Sequence, residues 1–184
     1  MPLPAHKVTI CGIPELPQHR SVGVTHVLSI IDTHEPRPPA LDGFEAIEHE
    51  LIRFDDVVAE YPGFEACTPA HIEQVLAFGE RVHLRPDSHI LVHCHAGISR
   101  STAAAAILMC QHAPGEEEAA FLKLLGLRKH GWPNTRMVEF ADALLKRDGA
   151  LLRGLDAYRR ALLAEKPHLS EVIRNIGRGH ELPG

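Results

Sequence analysis

Short apolar segments alternate along the chain with longer segments whose apolar residues recur at helical spacing. The short segments are β-branched or apolar and predict strands over residues 8–11, 25–31, 47–54 and 88–93. A helix is predicted from Thr68 and Pro69, a good N-cap and first-turn pair, to a break at Pro86. Further helices are predicted over residues 101–111, 116–129 and 135–147, and one or two after Ala150, with a frayed end over 177–184.

This alternation favours an α/β fold with a central, mostly parallel or mixed sheet of four to five strands, flanked by helices on both faces. The chain has 184 residues, of which 45% are hydrophobic, enough for one buried core. Because no linker or composition shift marks a boundary, residues 1–184 are predicted to form a single domain, with 150–184 as a C-terminal helical appendage.

Composition and charge exclude some classes of function. A net charge of −5 argues against a general nucleic-acid binder. No apolar run is long enough for a membrane span, and residues 1–11 lack the pattern of a secretory signal, so we expect a cytoplasmic protein without a membrane or nucleic-acid partner. Four cysteines without a CxxC pair indicate free thiols. Nothing in the sequence indicates an oligomeric state.

The strongest motif is His-Cys-His-Ala-Gly-Ile-Ser-Arg-Ser over residues 93–101, between an apolar strand and an apolar helix. Such a loop aims backbone N–H groups and a helix N-terminus at one point, which forms an anion site. Gly97 permits a tight backbone path, and the planar fork of Arg100 can grip two phosphate oxygens. The residues predicted to hold a phosphoryl group are His95, Ala96, Gly97, Ile98, Ser99 and Arg100.

Cys94 is predicted to lie at the bottom of this cradle, where the same dipoles favour a thiolate. A thiolate facing a phosphate ester can attack phosphorus and form a cysteinyl-phosphate that water then hydrolyses. Ser101 is predicted to donate a hydrogen bond to the Cys94 sulfur and ease its departure. His93 is predicted to brace the loop through its ring nitrogens.

Residues 93–101 resemble the signature loop of the protein-tyrosine phosphatase superfamily. Their form is closest to that of dual-specificity and small bacterial tyrosine phosphatases, and a less specific resemblance extends over about 47–145. The resemblance implies a central mixed sheet flanked by helices and a reaction without metal or other cofactor. It also implies an aspartate roughly thirty to forty residues before the cysteine that protonates the leaving group.

Asp55 and Asp56 precede Cys94 by 39 and 38 residues and follow a predicted strand. The family pattern of alternating apolar residues before the aspartate falls on Ile52, Phe54 and Asp56, so Asp56 is preferred as the general acid. Asp55 stays the alternative, because a strand end predicted from sequence can shift by a residue. Asn134 resembles a family position that steadies the signature loop, while capping of the helix at residue 135 is a competing interpretation.

The predicted function is hydrolysis of phosphate monoesters on protein tyrosine, and also on serine or threonine for a dual-specificity enzyme. The expected partner is a phosphorylated protein or a small aryl phosphate. Two alternatives stay open: a phosphoinositide or other non-protein phosphatase, and a non-catalytic phospho-binding pseudophosphatase. The absence of lysine from the loop counts against the first, and the joint presence of nucleophile, arginine and acid counts against the second. His93, His95, Cys110 and His112 lack the spacing of a zinc site.

Overall fold

Four parallel strands form the sheet in the computed structural model, which describes residues 7–46, 48–83, 85 and 87–184. The strands are β1 (Lys7–Gly12), β2 (His26–Ile31), β3 (Glu48–Arg53) and β4 (His89–Cys94), in the order β1-β4-β2-β3. All three pairings between them are parallel. The predicted α/β fold is confirmed, while the predicted strand start at Ile47 and the helix break at Pro86 lie outside the described residues.

β4 occupies an inner position and every one of its residues is buried, as its apolar sequence predicts. Its register places Cys94 opposite Gly12 of β1 and His93 opposite Ser29 of β2. Because all four strands run in the same direction, the loops that follow them meet at one edge of the sheet. That edge collects the segments after Gly12, Ile31, Arg53 and Cys94.

Seven α-helices lie within the described part of the chain. They are α1 (Pro69–His83), α2 (Arg100–Gln111), α3 (Glu117–Leu122), α4 (Leu124–Leu127), α5 (Thr135–Leu145), α6 (Ala150–Glu165) and α7 (Leu169–Asn175). The single helix predicted over 116–129 is wrong, since two short helices stand there. The chain leaves α4 at Arg128, whose extended backbone lets its side chain reach the loop after β4.

The two faces of the sheet are covered differently. The larger core packs the helices on one face, with fully buried Phe54, Phe78, Phe121 and Tyr158. The other face carries a smaller cluster that includes Leu16 and Leu41, which belong to two 3-10 helices, Ile13–His19 and Pro39–Gly43. Both faces are therefore flanked by helices, but by short 3-10 helices on the second.

The chain after residue 149 shares the main core, because Leu151, Leu155 and Tyr158 of α6 belong to the same cluster as α1 and α2. The division into one domain with a C-terminal appendage stays a prediction.

The predicted frayed end over 177–184 is wrong. A 3-10 helix forms at Gly179–Glu181, and the buried Glu181 carboxylate pairs with Arg178 and with Arg159, which is 22 residues away and which local sequence patterns do not reveal. Within the described ranges, no helix has both the length and the apolar character needed to cross a bilayer.

Candidate active site

The loop from Cys94 to Arg100 joins the end of β4 to the start of α2 at the edge where the strand ends meet. The Cys94 side chain is buried, and its Sγ lies 3.2 Å from the Ser101 hydroxyl oxygen. Ser101 belongs to the first turn of α2, so the hydroxyl is held in place by the helix. The structure thus brings together the predicted nucleophile and the residue predicted to assist it.

Two glycines let the loop pack directly against the end of β1. Gly97 has a φ of +70°, and a Cβ placed there would lie 2.5 Å from the carbonyl carbon of Cys11. A Cβ on Gly12 would lie 2.8 Å from the carbonyl oxygen of His95. A larger residue at either position would push the loop away from the strand, so this close approach depends on glycine.

The carbonyl oxygens of the loop are bonded on its outer side. Arg128 donates from Nε to the Gly97 oxygen at 3.0 Å and from Nη2 to the Ala96 oxygen at 2.9 Å, while Ile13 N–H donates to the His95 oxygen. Glu15 holds the Arg128 guanidinium through two bonds of 2.8 Å. In trans peptides the next N–H points opposite to the carbonyl, so the N–H groups of residues 96, 97 and 98 face inward. Converging N–H groups of this kind form an anion-binding concavity.

Arg100 follows this loop as the first residue of α2, and its side chain is only 3% exposed. Its Nη1 donates to the Phe54 carbonyl oxygen at 2.6 Å and pairs with the Asp32 carboxylate at 2.7 Å. Its Nε has no hydrogen-bond partner within the described residues and stands 3.9 Å from Asp56 Oδ2. A buried donor without a partner is costly, so the site offers an N–H that an anion would satisfy.

The two candidate acids differ in their surroundings. Asp56 Oδ1 accepts hydrogen bonds from Ser99 Oγ at 2.7 Å and Asn134 Nδ2 at 2.9 Å, which places this carboxylate beside the loop. Asp55 instead accepts from the backbone N–H of Glu65 at 2.7 Å and of Thr33 at 3.3 Å. Asp55 therefore ties its own loop to neighbouring backbone, and Asp56 faces the signature loop.

The supporting residues also have defined contacts. His93 is fully buried with Nε2 2.6 Å from Ser29 Oγ, and burial lowers the pKa of its imidazole to about 4, so the ring is neutral at pH 7. Asn134 Oδ1 accepts from Met137 N–H as the N-cap of α5. The Asn134 side chain donates to Asp56 and to the Val57 carbonyl oxygen, and its contact with the signature loop comes from its backbone N–H, which donates to the Ser99 carbonyl oxygen at 3.2 Å. His95 Nε2 accepts from the Asp32 N–H at 3.3 Å.

The other three cysteines are buried free thiols. Burial raises the pKa of Cys11, Cys67 and Cys110 to about 12, so these side chains stay protonated at physiological pH. Across the residues that the structure describes, no group of three or more His, Cys, Asp or Glu side chains is arranged to hold a metal ion.

Sequence reasoning missed Asp32, the Glu15–Arg128 pair and Arg178, whose Nη1 donates to Ser99 Oγ at 3.2 Å. Asp32 follows β2 directly, as Asp55 follows the predicted third strand, so the rule that located Asp55 and Asp56 could have found it. The partners of the other contacts are separated by 113 and 79 residues, and no local pattern links them.

Comparison with known proteins finds similarity to the family that the signature loop resembles. Residues 60–130 match the family model described as protein-tyrosine phosphatase. No curated protein sequence matches the chain.

Among solved structures, human DUSP28 superposes with a TM-score of 0.57 at 20% identity, over 78% of this chain and 96% of that one. A mouse putative dual specificity phosphatase complexed with zinc tungstate gives 0.54 at 20% identity, over 83% and 92%. PTPMT1 in complex with PI(5)P gives 0.54 at 16% identity, over 80% and 94%.

These structural likenesses show a shared fold, and the family model covers the segment that contains the strand, loop and helix of the site. Residues 60–130 are thus similar to the protein-tyrosine phosphatase family, and the fold of the chain is like that of dual-specificity phosphatases.

Proposed function

We propose that the protein hydrolyses phosphate monoesters through a cysteinyl-phosphate on Cys94, with phosphotyrosine in proteins as its main substrate class. The observation that carries this proposal is the buried Nε of Arg100, which has no hydrogen-bond partner within the described residues, at the end of a loop whose N–H groups converge. A phosphoryl group fits this arrangement, because its equatorial oxygens accept from the N–H groups and from the guanidinium at once.

In the first step, the Cys94 thiolate attacks phosphorus from the bottom of the cradle. The S–P bond forms, the bond from phosphorus to the leaving oxygen breaks, and Asp56 gives its proton to that oxygen. Arg100 and the inward N–H groups stabilise the charge on the three phosphoryl oxygens. Asp56 is preferred to Asp55 because only Asp56 contacts residues of the signature loop.

In the second step, water attacks the phosphoryl group and the S–P bond breaks. Asp56, now a carboxylate, takes the proton from the attacking water. Ser101 donates a hydrogen bond to the departing sulfur, which its 3.2 Å separation from Cys94 Sγ allows. The products are inorganic phosphate and the Cys94 thiolate, which is ready for another cycle.

The surroundings of the site support an aromatic substrate. Tyr61 and Phe64, on the loop that follows Asp56, are 50% and 56% exposed, and Ile98 of the signature loop is 38% exposed. Exposed apolar side chains on these two loops would contact the ring of a phosphotyrosine. The loop carries no lysine for an additional phosphate, which disfavours a phosphoinositide substrate.

The test is hydrolysis of p-nitrophenyl phosphate, a phosphotyrosine peptide, a phosphoserine peptide and phosphoinositide vesicles in the presence of chelator and reductant. We expect turnover of the first two, no turnover by Cys94→Ser, and a loss of about 10² to 10⁴ in kcat on the phosphotyrosine peptide for Asp56→Asn. Asp55→Asn is the matched control and should retain most of the activity.

Three outcomes would contradict the proposal. Equal losses in both aspartate variants would remove the assigned role of Asp56. Folded wild-type protein that binds the phosphotyrosine peptide without turnover would indicate a non-catalytic binding module. Turnover confined to phosphoinositide vesicles would indicate a lipid phosphatase.

A further inference from the structure

The C-terminal segment of the chain reaches the signature loop. Arg178 donates from Nη1 to the Ser99 hydroxyl oxygen at 3.2 Å, and its side chain is only 15% exposed. Ser99 in turn donates to Asp56 Oδ1 at 2.7 Å. A hydroxyl has a single hydrogen, so a guanidinium donor on its oxygen leaves that hydrogen free to point at the carboxylate. Arg178 thus fixes the direction in which Ser99 donates.

Glu181 anchors Arg178. Its carboxylate is 1% exposed and receives Arg178 Nη2 at 3.0 Å, Arg159 Nη2 at 3.0 Å and Trp132 Nε1 at 2.9 Å, as well as the Thr135 hydroxyl. Burial alone would raise the pKa of Glu181, but the bonds and charges of Arg178 and Arg159 outweigh it and lower the pKa to about 2. The carboxylate therefore stays ionised and paired at every pH at which the enzyme would work.

The second donor on Asp56 depends on the same cluster. Asn134, which donates from Nδ2 to Asp56, lies between Pro133 and Thr135. Arg159 holds both neighbours: its Nη2 donates to the Pro133 carbonyl oxygen at 3.1 Å and to Thr135 Oγ1 at 2.8 Å. The two residues that donate to the Asp56 carboxylate, Ser99 and Asn134, are therefore both held in place by arginines that bond Glu181.

We infer that Arg178 and Glu181 are positioning residues for the proton donor, acting on Asp56 through Ser99 and through the segment around Asn134. The inference rests on the proposed function of Asp56. Arg178 exchanges no proton with the substrate. Its contribution is to hold the carboxyl group in line with the leaving oxygen, where displacement by about 1 Å can cost about a hundredfold in rate.

A positioning role predicts a dependence on the leaving group. p-Nitrophenolate departs with little help from an acid, whereas phenolate needs a proton from a well-placed donor. Arg178→Met keeps the aliphatic stem and leaves Glu181 paired with Arg159. We expect kcat/KM for phenyl phosphate to fall at least about tenfold and kcat/KM for p-nitrophenyl phosphate to fall less than about threefold.

The matched control is Arg160→Met. Arg160 is an exposed arginine of α6 that bonds Asp156 and the Gly184 carbonyl oxygen, and it has no contact with the signature loop. Its replacement should leave both kcat/KM values unchanged. In an Asp56→Asn background, Arg178→Met should cause no further loss on phenyl phosphate, because the group that it positions has lost its proton.

Equal losses on both substrates, or a full additional loss in the Asp56→Asn background, would overturn the positioning role and leave the proposed function intact. Absence of wild-type turnover would overturn the proposed function, and the inference with it. If Arg178→Met does not fold, Glu181→Gln is measured in the same way, with the same expected difference between the two substrates.

Discussion

The buried Glu181 carboxylate makes the stability of the protein depend on pH in a predictable way. Its pKa falls from the ordinary 4.5 to about 2 in the folded state. Each pKa unit corresponds to about 1.4 kcal/mol, so ionisation of Glu181 stabilises the folded chain by about 3 kcal/mol at neutral pH. Because the folded pKa is the lower one, this stabilisation is complete above pH 4.5 and is lost as the pH falls towards 2.

Glu181→Gln removes the titration. It also leaves Arg159 and Arg178 without their carboxylate, which costs roughly 3–5 kcal/mol at neutral pH by itself. The informative quantity is therefore the change in unfolding free energy between about pH 7 and pH 3, measured by urea denaturation. Over this range the wild type should lose about 2 kcal/mol more than Glu181→Gln.

Glu171→Gln serves as the control for that experiment, since Glu171 is an exposed carboxylate on α7. Its unfolding free energy should follow the wild-type curve. If the wild type and Glu181→Gln lose the same free energy between the two pH values, Glu181 is not a buried, ion-paired carboxylate. The anchor assigned to Arg178 would then be wrong.

Three further predictions concern the signature loop and its support. Ser101→Ala should slow breakdown of the cysteinyl-phosphate by about tenfold or more, which stopped-flow would show as a burst of p-nitrophenolate before a slower steady state. An unchanged steady-state rate would exclude the role of Ser101 in the departure of the Cys94 sulfur. Gly97→Ala should lower the free energy of unfolding by about 1–3 kcal/mol and reduce kcat/KM, because φ is +70° and the new Cβ would clash with the backbone of Cys11. The control Gly115→Ala, which also lies at positive φ but has open space around it, should keep the wild-type activity. When Arg128→Met is introduced into the Cys94→Ser protein, calorimetry should show weaker binding of inorganic phosphate, because two loop carbonyl oxygens lose their hydrogen-bond donor. An unaltered affinity would mean that the loop keeps its shape without Arg128.

Local patterns predicted the elements whose structure depends on local sequence. All four strands were found from β-branched and apolar runs, and the strand–loop–helix around Cys94 follows from residues that are adjacent in the chain. The family pattern favoured Asp56 over Asp55 from the sequence, and the structure adds the contacts in which the two carboxylates differ. The two carboxylates are neighbours in sequence, and their difference lies in the distant groups that each one contacts.

Contacts between distant segments escaped the sequence-based predictions for a physical reason. The side chain of Arg178 meets Ser99 only because α6 and α7 pack back onto the core and return the chain to the loop. The end of the chain is rich in glycine and charged residues, which is typical of a frayed terminus when its partners are unknown. Buried ion pairs of this kind depend on the tertiary arrangement of the helices rather than on residue spacing.

The proposed mechanism requires that the Cys94 sulfur becomes phosphorylated during turnover. The direct measurement is rapid acid quenching of the wild type with p-nitrophenyl phosphate, followed by intact mass and peptide mass analysis. A cysteinyl-phosphate intermediate predicts the added mass of one phosphoryl group on Cys94, with a larger trapped fraction in Ser101→Ala. Turnover by Cys94→Ser, or a phosphoryl group trapped on another residue, would contradict it.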